Sequence, residues 1–120
     1  MCTYVTNQIA VSGSGKSPDG WFGLTEAMVF FDHPVHADQE HTLNIDFRNP
    51  GRGAGARVAV ELSAQSALDL ARAILTTLGQ VPADLTGLAE SAELARLAAA
   101  AGVAQAAAPA DSAEFTIQSV

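Results

Sequence analysis

The 120-residue chain sets 13 carboxylates against six lysines and arginines, a formal charge of −7. Such a surface repels phosphate backbones and anionic lipid, so neither nucleic acid nor a membrane is an expected partner. Apolar residues make up 48% of the sequence, many of them alanine, and the single cysteine cannot form an internal disulfide. One domain of ordinary size in a reducing compartment is the expectation.

The N-terminus has neither a basic n-region nor an apolar h-region, and no later stretch reaches about 18 uninterrupted strongly apolar residues. A cytoplasmic location follows as an expectation. Residues 3 to 11 alternate Val5, Ile9 and Val11 against Tyr4, Thr6 and Gln8, the period-2 pattern of a half-buried strand. Ser12 to Gly20, rich in glycine and ending in Pro18-Asp19-Gly20, reads as a connection. Trp21 to Asp32 carries apolar side chains on both parities, as a strand covered on both faces does.

From His41 to Arg48 the alternation is clean, with Leu43, Ile45 and Phe47 opposite Thr42, Asn44, Asp46 and Arg48. Arg57 to Leu62 repeats it after a glycine-rich loop. Four strands with short connections predict an antiparallel meander. Ser63 is a candidate N-cap, and Ala67, Leu70, Ala71, Ile74, Leu75 and Leu78 form one helical stripe ending at Gly79, expected to lie across the sheet. Residues 83 to 101 predict a second, alanine-rich helix, and residues 114 to 120 alternate like an edge strand.

The fold expected is therefore α+β: a four-stranded antiparallel meander with one amphipathic helix on a face, then an alanine-rich helix and a flexible or strand-like tail. Its divisions are residues 1–80 for the core, 81–104 for the helical extension and 105–120 for the tail.

The opening Met-Cys-Thr-Tyr-Val-Thr, the Gly-Ser-Gly-Lys segment, Trp21-Phe22, the stretch from Phe31 to Phe47 and Arg57 to Leu62 together resemble a family of short actinobacterial proteins catalogued only as a domain of unknown function. The resemblance covers roughly residues 1 to 78 and leaves the alanine-rich C-terminus outside. It implies a bacterial cytoplasmic origin and transfers no activity.

All three histidines, His33, His36 and His41, fall within nine residues. Imidazole is the commonest transition-metal ligand, so three in one hairpin loop make a candidate site for Zn, Cu, Fe or Ni. A hairpin centred near Ala37 places His33 and His41 on the same face, with His36 in the loop between them. Asp32 and Glu40 are candidates to orient the imidazoles or to act as a general base in a metal-dependent enzyme. Cys2 is a further candidate ligand. Aligning Val5 and Ile9 with Val29 and Thr25 sets it opposite Asp32 and away from the histidines, so a different register or a bulge is needed to bring the thiol to them. The spacing H-x2-H-x4-H matches no standard ligand set, and a solvated polar hairpin tip is the competing reading.

Gly13-Ser14-Gly15-Lys16-Ser17 imitates the end of a phosphate-binding loop. The leading glycine is replaced by Ala10, and Pro18-Asp19-Gly20 turns the chain where the motif needs a helix, so no nucleotide is expected. The polar parity of the sheet also carries Met28 and Phe30, which favours a second functional class: a non-catalytic homodimeric binding or structural module using that mixed face.

Overall fold

A computed structural model describes residues 5–88 and 92–102. Strands β1 (Val5–Ser17), β2 (Gly20–Asp32), β3 (Thr42–Arg48) and β4 (Arg57–Leu62) form one antiparallel sheet in chain order. Helices α1 (Ala64–Gln80), α2 (Ala83–Thr86) and α3 (Ala92–Ala100) follow, giving an α+β fold. The chain divides into two compact units, Met1–Ala67 and Leu68–Val120. No helix among the described residues is long and apolar enough to cross a membrane.

The central hairpin pairs Phe31 with Leu43, Val29 with Ile45 and Ala27 with Phe47, so its centre falls on residue 37 as the alternation predicts. Leu62, Val60 and Val58 of β4 continue the same rows. One face is thus apolar across three strands, while the other presents Glu26, Arg48 and Arg57, then Met28, Asp46 and Ala59, then Phe30, Asn44 and Glu61. Two ion pairs tie that second face across strands: Arg48 with Glu26, and Arg57 with both oxygens of Asp46 at 3.0 and 3.1 Å.

The first hairpin departs from expectation in two ways. Its connection is only the Pro18-Asp19 turn, because Gly13 to Ser17 remain paired with β2 instead of forming a loop. The Ser17 hydroxyl accepts from the Asp19 amide at 3.2 Å and donates to the Gly20 carbonyl at 3.3 Å, and Gly20 takes φ +116°. Its register also differs, with Val5 opposite Phe31 where Val29 was expected. A bulge between Ala10 and Gly13 inserts one residue into β1. Without it, the turn register would carry Val5 opposite Asp32 and onto the polar face; with it, Val5 and Ile9 stay in the apolar rows.

The sheet curls strongly. A Cβ on Gly15 would lie 3.2 Å from Leu24 Cδ2 and 3.3 Å from Val58 Cγ2, so the far end of β1 meets a side chain of β4, a strand with which it does not pair. Glycine permits that approach.

In α1, Ser63 is the N-cap: its hydroxyl accepts from the Ser66 amide at 3.1 Å and its carbonyl from the Ala67 amide at 2.9 Å. The helix runs through Gly79 to Gln80, one residue past the expected stop. The single helix expected over 83–101 is instead broken at Gly87, whose left-handed backbone (φ 75°, ψ 11°) closes α2 by donating to the Ala83 carbonyl. Gly102, at φ 76°, follows the end of α3. The predicted strand at 114–120 lies outside the described residues.

Candidate functional site

The ends of β2 and β3 present the histidine stretch. Because His33 and His41 extend the paired rows of the hairpin, strand parity brings them together, and their ring centroids lie 4.6 Å apart at an interplanar angle of 33°. His41 also stacks on Phe31, centroid to centroid 6.0 Å, which ties the pair to the apolar face of the sheet. His33 Nδ1 sits 3.0 Å from the main-chain carbonyl of Glu40. A carbonyl oxygen can only accept, so Nδ1 carries the proton and the lone pair of a neutral ring resides on Nε2.

The proposed auxiliary acids take different places. Glu40 serves His33 through its main-chain carbonyl, and its side chain is not the acceptor in that bond. Asp32 is 7% exposed and its Oδ1 accepts from the His33 amide at 2.7 Å, fixing the backbone where the strand ends. The His36 amide is bonded to Glu61 of β4. Cys2 lies outside the described residues. Among the described residues no group of three or more His, Cys, Asp and Glu side chains is placed to hold one metal ion, so the three-histidine set is not assembled, while two of its members are.

The loop between β2 and β3 is anchored by Glu61 of β4. Three successive amides converge on this carboxylate: Val35 on Oε2 at 2.6 Å, His36 on Oε1 at 3.0 Å and Ala37 on Oε1 at 2.9 Å. Consecutive amides of this kind form a concave anion nest, here filled by a side chain of the same protein. The bond from Val35 chiefly holds the Glu61 carboxyl below its ordinary pKa; partial burial opposes this, and the His36 and Ala37 amides and the charge of His36 add to it.

Between the tethered loop and the polar face of the sheet lies a cavity of about 340 Å³, its wall including Phe30, Val35, Asn44, Arg57, Ala59 and Glu61. The most buried polar side chains of the described residues stand at this end of the sheet. Thr42 is 0% exposed and Asn44 6%, and the Thr42 hydroxyl donates to Asn44 Oδ1 at 2.7 Å. Alternation marks Asn44, Arg57 and Glu61 only as members of a polar face. Nothing local in the sequence marks Glu61 as the anchor of a loop about 25 residues earlier.

The Gly13 to Ser17 segment, which imitates a phosphate-binding loop, is extended strand and opens no helix. A family profile described as "Family of unknown function (DUF6295)" matches residues 1–87. The chain belongs to this family. The DUF6295 match extends beyond the resemblance read from residues 1 to 78 and takes in all four strands, α1 and α2. No curated protein and no solved structure matches the chain.

Proposed function

We propose that this DUF6295 protein binds a divalent transition-metal ion between His33 and His41. The observation that carries the reading is the adjacency of the two rings, 4.6 Å between centroids, with one imidazole oriented by a main-chain carbonyl. A hydrogen bond from the remote ring nitrogen is the usual way a protein fixes the tautomer and direction of a ligating histidine. Two imidazoles leave further coordination positions for water, a substrate atom or a thiolate, and they suit Zn, Cu, Ni or Fe. The charge of −7 favours cation uptake in a general way.

The test is direct titration of the purified chain, stripped with chelator, with Zn, Cu, Ni and Fe(II) by calorimetry, alongside elemental analysis of the protein as expressed. Stoichiometric binding is expected. It should be abolished by His33→Ala and by His41→Ala, and it should survive His36→Ala, since among the described residues His36 is not grouped with the other two as a ligand set. Loss of binding in His36→Ala with His33→Ala unaffected would overturn the two-histidine site, as would a chain that takes up none of the four ions. Cys2→Ala, measured in parallel, reports whether the thiol completes the coordination.

A further inference from the structure

The cavity beneath the loop makes a second assignment, which shares His33 with the proposed metal site but does not need a metal. Its volume, about 340 Å³, falls at the small end of the range for organic ligands, and Phe30, Val35 and Ala59 give it apolar surface. Its polar groups differ sharply in what they have left to offer. Both oxygens of Glu61 are taken by three amides. Both oxygens of Asp46 are taken by one guanidinium nitrogen of Arg57. Asp32 Oδ1 already accepts from the His33 amide.

Asn44 is the exception. It is 6% exposed, its Oδ1 is used by Thr42, and its Nδ2 meets no acceptor among the described residues although the side chain lines the cavity. With no acceptor on it among the described residues, Asn44 Nδ2 is left to donate into the cavity, and a ligand oxygen can take that bond.

Charge narrows the ligand further. Asp32, Asp46 and Glu61 line the cavity against Arg57 and His33; Arg57 is already paired with Asp46, and His33 Nδ1 is bonded to the Glu40 carbonyl. An anion would therefore enter against three carboxylates with no unpaired guanidinium to receive it. The Glu61 and Asp46 oxygens and Asp32 Oδ1 already accept from donors of the protein itself, so a ligand cation would have to share them. We infer that the cavity binds a small uncharged organic molecule, its apolar body on Phe30 and Ala59 and a carbonyl-type oxygen accepting from Asn44 Nδ2.

Three isosteric probes test this: benzamide (neutral, with a carbonyl), benzoate (anionic) and benzylamine (cationic), each titrated into the ¹⁵N-labelled full chain in the presence of EDTA, so that no metal contributes. Benzamide should give saturable shifts at Phe30, Ala59 and the Asn44 side-chain NH2, with a Kd on the order of 1 mM for so small a molecule. The two charged probes should bind at least about tenfold more weakly. Asn44→Ala should weaken benzamide by about tenfold. Because that change also removes the partner of Thr42, Ala59→Phe is the second variant: it fills an exposed position of the cavity wall and should abolish the shifts while leaving the rest of the spectrum in place. Tighter binding of benzoate or benzylamine, no saturable shift with any probe, or benzamide binding that persists in Ala59→Phe would each overturn the assignment.

Discussion

Glu61 decides the conformation of the histidine loop more than any residue within the loop. Val35, His36 and Ala37 turn their amides toward one carboxylate across the sheet, which ties the main chain of the loop to β4. The carboxylate form is the one that accepts three bonds, so the folded pKa lies below the ordinary value of 4.5. Since the folded value is the lower one, the anchoring contribution is complete above about pH 4.5 and is lost as pH falls through the depressed folded value. The amide resonances of residues 35 to 37 should titrate together with a midpoint below 4.5, and Glu61→Gln should abolish that titration while increasing hydrogen exchange at the three amides at neutral pH. A midpoint at or above 4.5, or unchanged exchange in the variant, would show that another contact holds the loop.

At the level of elements, the alternating strands were the most legible part of the sequence. In β3 and β4 each apolar residue is followed by a polar or small one, and the paired rows agree with that reading down to the hairpin centre at residue 37. The second half of β1 was not legible. Gly13, Gly15 and two serines have low strand propensity and read as loop, yet they pair because the neighbouring strand and the two-residue turn supply partners. The adjacency of His33 and His41 followed from parity alone. The cavity did not, because it depends on a carboxylate of β4 reaching a loop distant in sequence, and no period reports such a contact.

The turn that sets this register offers a test of the element. Gly20 holds φ +116°, a region costly for a side chain, with open space around its missing Cβ. Gly20→Ala should therefore destabilise through backbone strain alone, by about 1–3 kcal/mol. Urea denaturation should show a lower midpoint with an unchanged slope. A variant as stable as the parent would mean that the turn relaxes without cost, and that the bulge at Ala10 to Gly13 fixes the register of β1 unaided.

At the scale of the whole molecule, everything argued to carry function lies early in the chain. The four strands, the histidine pair, the Glu61 tether and the cavity wall all fall within residues 5 to 62. The DUF6295 match ends at residue 87, where Gly87 closes α2 in a left-handed turn. Beyond that point, the side-chain hydrogen bonds shown between the described residues and the earlier helices are the local one from the Leu88 amide to the Thr86 hydroxyl at 3.0 Å and an exposed one from Arg72 Nε of α1 to the Ala101 carbonyl at 2.8 Å. Such a bond contributes about 0.5–1.5 kcal/mol net. A chain ending at residue 87 should accordingly keep one cooperative thermal transition, with Tm lowered by less than about 10 °C. It should also keep the metal stoichiometry and the benzamide response of the full chain. Circular dichroism melts of the two lengths, run with the two titrations, separate the possibilities. A truncated chain without a cooperative transition would make the alanine-rich segment part of the folding unit, whereas one that folds but no longer binds would assign that segment to a site.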